Sequence, residues 1–210
     1  MKKAFALIAA AIVCMSASAQ VQFGAKVGFD LTNLWGSNVE HGMKPSYQAG
    51  LMMEYKFNPR FAISPEVVFA SQGGKFDILN VEVPGIIDKK VKATFNTNYI
   101  NVPVMLKYYA TPSFSIDFGP QVGFNVYSKY SVTDVDKPVD LKDATKGVDF
   151  GLGLGGTYSI TDNAFIQARY TMGLTNVFKS DDHLEKYIEG LVGDTDAKNG
   201  NIQIAFGMKF

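Results

Sequence analysis

The sequence predicts an all-β protein, an eight-stranded antiparallel up-and-down transmembrane β-barrel with short periplasmic turns and long extracellular loops. Three observations carry this reading. Eight segments of about ten residues alternate apolar and polar side chains with a period of two, which places the two sets on opposite faces of a strand. The connections between those segments alternate long and short, the pattern of a barrel with one looped end and one tightly turned end. No apolar run beyond the first twenty residues approaches the ~20 that a spanning helix needs, so any membrane crossing falls to strands.

The chain opens with Lys2 and Lys3, followed by an apolar stretch from Ala4 to about Met15. That stretch is too short to span a bilayer, and it ends in Ser16-Ala17-Ser18-Ala19, a small-residue cleavage pattern. Residues 1–19 therefore read as a signal peptide cut between Ala19 and Gln20, leaving 20–210 as one barrel domain bound for the outer membrane through the periplasm. Cys14 is preceded by Val13, where lipoprotein processing wants a small residue, so lipidation is not expected. Cys14 is also the single cysteine, so the processed chain could form no disulfide and must draw its stability from the fold or the membrane. With 20 basic and 20 acidic residues, and two lysines lost with the leader, the remainder carries about −2, and nothing points to nucleic acid.

The first strand sets Phe23, Ala25, Val27, Phe29 and Leu31 against Gln22, Gly24, Lys26, Gly28 and Asp30. The second sets Tyr47, Ala49, Leu51, Met53, Tyr55 and Phe57 against Ser46, Gln48, Gly50, Glu54 and Lys56, and Asn58-Pro59-Arg60 turns the chain. The third runs from Phe61 to about Gln72, with Ser64, Glu66 and Gln72 on its polar face; Pro65 is awkward there because it removes a ladder donor. The fourth, Asn98 to Tyr109, carries Lys107 opposite Ile100, Val102, Val104, Leu106 and Tyr108, and closes at Ala110–Ser113. The fifth has the cleanest alternation, Phe114, Ile116, Phe118, Val122, Phe124 and Val126 against Ser115, Asp117, Gly119, Gln121, Gly123 and Asn125. In the sixth, Val148 to Ile160, Gly151, Gly153 and Gly155 share the polar face, and Thr161-Asp162-Asn163 follows as a turn. The seventh places Arg169 opposite Ile166, Ala168, Tyr170 and Met172, and the eighth places Gln203, Gly207 and Lys209 opposite Ile202, Ile204, Phe206, Met208 and Phe210. Long connections are expected at about 32–44, 73–97, 129–147 and 177–200, and short ones at 58–60, 110–113 and 161–163.

A soluble β-sandwich would alternate too, so the polar face decides between them. A sandwich turns that face to water and favours Lys, Glu and Thr; here it is crowded with glycine, which suits the tight inside of a narrow barrel. The opposite face carries Phe, Tyr, Leu and Met at nearly every step, with aromatics near strand ends, as a lipid-facing wall and its girdles require. Closure pairs every strand edge, which an open sheet in hydrocarbon could not do.

The segments Asn98–Tyr108 (NYINVPVMLKY), Phe118–Phe124 (FGPQVGF), Val148–Gly153 (VDFGLG) and Ala168–Asn176 (ARYTMGLTN) together resemble the PorT-like outer-membrane β-barrel family of Bacteroides-type bacteria. The resemblance spans essentially the whole processed chain. It implies an eight-stranded barrel, with one branch of the family linked to protein secretion and most members without a defined task. It also implies that the terminal aromatic, Phe210, serves as part of the signal read by the barrel-insertion machinery.

The polar residues that stand out are Lys26, Glu54, Glu66, Lys107, Asp117 and Arg169, all within a few residues of the periplasmic ends of their strands. An eight-stranded barrel is just wide enough to be filled by side chains, so this set is expected to form an interior ion-pair network that plugs it. The alternative is a narrow path for small ions or solutes, its selectivity set by the same charges. Catalysis is not expected. His41 and His183 fall in expected loops without a nucleophile motif, so a lipid-modifying enzyme is the weakest reading. Asp194-Thr195-Asp196 lacks the remaining ligands of a calcium loop, and the glycines from Gly151 to Gly156 are followed by strand rather than helix, against a nucleotide fingerprint. No cofactor or metal is expected. The expected surroundings are outer-membrane lipid and the insertion machinery, with the barrel a monomer whose long loops present a surface to an unspecified partner.

Overall fold

The structure, a computed structural model, describes residues 20–35, 41–78, 91–132, 139–140, 145–177 and 197–210. The predicted signal peptide, with Ala19, lies outside the described residues; Gln20 is the first of them, and its carbonyl accepts the Lys56 N–H at 2.9 Å.

Eight long strands follow from the alternating segments: β1 (Val21–Trp35), β3 (Lys44–Lys56), β4 (Phe61–Ile78), β5 (Val91–Thr111), β6 (Phe114–Val132), β8 (Val148–Ser159), β9 (Ala164–Asn176) and β10 (Lys198–Lys209). Two short strands sit at the long-loop end, β2 (His41–Gly42) against β4 and β7 (Val139–Asp140) against β6. The long strands pair antiparallel in the order β4-β3-β1-β10-β9-β8-β6-β5, and β5 pairs with β4 again, which closes the barrel. The first and last strands meet along a register from Gly24 opposite Lys209 to Trp35 opposite Lys198. Phe210 continues it by donating its N–H to Phe23 O at 2.8 Å.

The three short turns share one chemistry. Asn58 Oδ1 accepts the N–H groups of Arg60 and Phe61 at 2.8 and 2.9 Å, Thr111 Oγ1 accepts that of Phe114 at 3.0 Å, and Thr161 Oγ1 accepts that of Ala164 at 2.9 Å. In each a side-chain oxygen satisfies a backbone donor that the reversing chain would leave bare.

The wall is inside out relative to a soluble protein. Phe29 is 81 % exposed and Leu51 63 %, whereas Lys107 is 1 % and Asp117 0 % exposed. With apolar side chains outward around the whole circumference and every long strand paired on both sides, the arrangement is stable only with hydrocarbon around it.

Two expectations are corrected by the strand ends. The connections expected at 73–97 and 129–147 are partly strand, since β4 runs to Ile78, β5 starts at Val91, β6 runs to Val132 and β7 covers Val139–Asp140. The connections expected at 32–44 and 177–200 are likewise shortened, by β1 reaching Trp35 and β10 starting at Lys198. Above the lipid both faces of a hairpin meet water, so the ladder persists while the alternation that reveals it fades.

Pro65 also finds its explanation in register. The β3–β4 ladder breaks between the pairs Met52–Glu66 and Tyr55–Ile63, spanning Pro65. The β4–β5 ladder breaks between Pro65–Val104 and Val68–Asn101, spanning Pro103, and the β5–β6 ladder breaks between Pro103–Gln121 and Leu106–Phe118, spanning Pro120. Three neighbouring seams thus each place a residue without an N–H where a ladder bond is missing.

Candidate functional site

Strand parity sends Lys26, Glu54, Glu66, Lys107, Asp117 and Arg169 inward, where each is 0–4 % exposed. The structure sorts them into two linked clusters. In the first, Glu66 of β4 receives Arg169 of β9 in a two-pronged pair, Nη1 to Oε2 at 3.0 Å and Nη2 to Oε1 at 2.8 Å, and Lys26 Nζ of β1 donates to the same Oε2 at 2.6 Å. The planar guanidinium matches both carboxylate oxygens, which orients the pair as well as neutralising it.

The second cluster lies nearer the short-turn end. Glu54 of β3 accepts from Lys209 of β10 at 3.0 Å and from the Tyr109 hydroxyl, and Lys107 Nζ of β5 stands 3.2 Å away. Lys107 also lies 3.9 Å from Asp117 of β6, whose carboxylate accepts from Ser115 at 2.7 Å and from Thr157 of β8. Gln167 of β9 joins the two clusters: its Oε1 accepts from Lys26 at 2.8 Å, and its Nε2 donates to Asp117 at 3.2 Å and to Thr157 at 3.0 Å. Every one of the eight long strands contributes a side chain to this connected network.

Sequence parity puts Lys209, Thr157 and Gln167 on the polar face without assigning them partners, and it leaves Tyr109, at the end of its strand, on neither face. The in-phase position of Lys209 was the usable signal. Tyr109 is in phase with Lys107, but an aromatic at a strand end reads equally well as girdle.

Room for the network comes from glycine. A Cβ on Gly153 would stand 3.3 Å from Met105 Cε and 3.4 Å from Arg169 Cδ, so the bare backbone there lets the Arg169 side chain lie across the lumen. Toward the long-loop end the lumen turns acidic and neutral. Asp30 accepts from Gln48 Nε2 at 2.8 Å, and Asp149 accepts from Asn199 Nδ2 at 2.9 Å and from the Thr175 hydroxyl. Among the described residues the two clusters gather four cationic and three carboxylate side chains, and the hydroxyls of Ser115, Thr157 and Tyr109 are engaged as donors to those carboxylates. Phe210, at the end of β10, is 77 % exposed on the outer face. His183 and Asp194–Asp196 lie outside the described residues, as does the side chain of His41, whose backbone forms β2.

Comparison with known proteins agrees with this architecture. Residues 16–179 match the family model for the outer membrane protein beta-barrel domain. Among solved structures, Neisserial surface protein A (NspA) superposes with a TM-score of 0.54 at 12% identity, covering 90% of this chain and 97% of that one. Ail, the attachment invasion locus protein of Yersinia pestis, solved in complex with the heparin analogue sucrose octasulfate, superposes with a TM-score of 0.50 at 14% identity, covering 91% of this chain and 99% of that one. At such identities the two likenesses concern the fold alone. No curated protein matches the sequence. The family match over most of the chain and the closed, lipid-facing barrel together identify an integral outer-membrane protein that belongs to the outer membrane protein beta-barrel domain family.

Proposed function

We propose that this protein is a non-enzymatic outer-membrane barrel of the PorT-like type that acts through the surface at its extracellular end, with its lumen serving as a structural plug. The observation that carries the reading is the network of ion pairs and hydrogen bonds tying all eight long strands, β8 through Thr157, with its charged groups at most a few per cent exposed. Opening a path for ions would mean separating pairs that have already lost their water, and separating a buried pair costs several kcal/mol. A molecule built this way has its free chemistry at the ends of the barrel, where the hairpins of β4, β5 and β6 extend beyond the lipid-facing wall.

The exposed aromatic at Phe210 suits capture of the last strand by the insertion machinery, and the paired strands leave no edge that calls for a second copy. The channel reading makes the opposite demand on the network, so planar-bilayer recording of the refolded barrel separates the two. The expected result is no steady conductance from the wild type; a steady current that disappears in Arg169→Ala would overturn the plugged reading.

A further inference from the structure

Near the extracellular end the wall between β3 and β4 is open. The last pair of that ladder is Gln48–Ala70, and pairing resumes only where β2 joins β4 at Gly42–Lys75, so 43–47 and 71–74 face each other without ladder bonds. Gly73, within this stretch, has a φ of 124°, a left-handed conformation that bends β4 away from its neighbour. Side chains hold the carbonyls left without ladder partners: Lys44 Nζ donates to Gln72 O at 3.1 Å, and Thr32 Oγ1 donates to Gly73 O at 2.8 Å.

The opening forms a groove of about 390 Å³. Lys44 and Lys129 line it together with Ser46, Ser71, Asn96 and Asn98, and no carboxylate is among its described lining residues. The Ser46 hydroxyl is buried there without a hydrogen-bond partner. Lys44 Nζ lies 3.4 Å from Ser71 Oγ, and Lys129 Nζ lies 4.6 Å above the Tyr127 ring. The groove therefore collects two ammonium groups and several hydroxyl and amide donors around one space, a composition that recognises an anion.

Its height on the wall selects the kind of anion. The outward row Phe69, Ile100 and Phe124 across β4, β5 and β6 is apolar, and one step further out the row becomes Ser71, Asn98 and Tyr127. That change from hydrocarbon-compatible to polar side chains marks the head-group level, and the short turns at the other end place it in the outer leaflet. Whatever fills a wall groove at that depth arrives laterally, within the leaflet. We propose that the open seam between β3 and β4 seats the phosphate group of an outer-leaflet lipid, held between Lys129 and Lys44, with the acyl chains lying over Phe69 and Ile100.

The test is native mass spectrometry of the full barrel in non-ionic detergent, titrated with bisphosphorylated lipid A and, separately, with its dephosphorylated form. The wild type is expected to retain one phosphorylated lipid in preference to the dephosphorylated one. Lys129→Gln should weaken that retention about fivefold, the effect of one lysine near an anionic lipid surface. Asn98→Leu, a second half-buried position lining the groove, should weaken it independently. Equal retention of the two lipids, unchanged retention in both variants, or full displacement by equimolar inorganic phosphate would each overturn the proposal. The different gel mobility of unheated and boiled samples verifies that each variant is folded.

Discussion

Replacing Glu66 by glutamine should lower the unfolding free energy of the barrel by about 3–5 kcal/mol, the usual cost of removing one partner from a buried charge pair. Among the described residues Glu66 is the one carboxylate that Arg169 and Lys26 both contact, at 2.8 and 2.6 Å, and all three side chains are at most 2 % exposed. Glutamine keeps the shape, removes the charge and turns an amide toward two cations that can only donate. The Arg169 guanidinium and the Lys26 ammonium would then share the lumen uncompensated, with the same-sign Lys107 in the linked cluster. The single tryptophan, Trp35, reports on unfolding from the β1–β10 closure, where its indole N–H donates to Asn199 O at 3.1 Å, so urea titration followed by its fluorescence gives the number directly. Lys26→Met, Glu66→Leu and Arg169→Met combined should recover most of the loss, because an apolar filling of similar volume carries no desolvated charge. A loss below about 1 kcal/mol for Glu66→Gln, the range of exposed ion pairs, would mean that water reaches the network and that the lumen is not the dry plug proposed above.

How far the sequence could be read depends on where water is. Along β6 the alternation of Phe114, Ile116 and Phe118 with Ser115, Asp117 and Gly119 is legible because one face meets hydrocarbon and the other a crowded lumen, and each environment tolerates few residue types. The inward direction of Lys26, Glu66 and Arg169 follows from the same parity. Their partnership does not. Glu66 and Arg169 are 103 residues apart on strands that are not neighbours in the barrel, and they meet because the diameter and stagger bring two inward positions to one height. Sequence carries the facing of a strand and leaves its height against non-neighbours unstated. Lys92 and Lys129 illustrate the other limit, lying in the stretches of β5 and β6 where neither face is forced and where strand was read as loop. Pro65 taken alone counts against its strand, and only the register sets it beside Pro103 and Pro120 on adjoining seams.

The second large effect is expected at Gly119, which stands beside Pro120 in the interrupted stretch of the β5–β6 ladder. A Cβ built there would meet Val104 O at 2.0 Å, Val104 C at 2.9 Å and Met105 Cα at 3.0 Å, all of them backbone atoms of β5 that no rotamer change can move aside. Without the Pro120 N–H to set a ladder distance, β5 and β6 approach until carbonyl and Cα touch, and only hydrogen fits between them. Gly119→Ala should therefore cost about 1–3 kcal/mol and Gly119→Val more, because the wall must part at a seam that already lacks a bond. Gly147 provides the contrast. A Cβ there meets nothing within 4 Å, so Gly147→Ala should stay within about 0.5 kcal/mol of the wild type. Urea midpoints for the three variants, with folded fractions scored by gel mobility before and after boiling, measure the difference. Equal midpoints for Gly119→Ala and Gly147→Ala would show that the two strands separate freely at this level, and the close approach would then not be what holds that part of the wall.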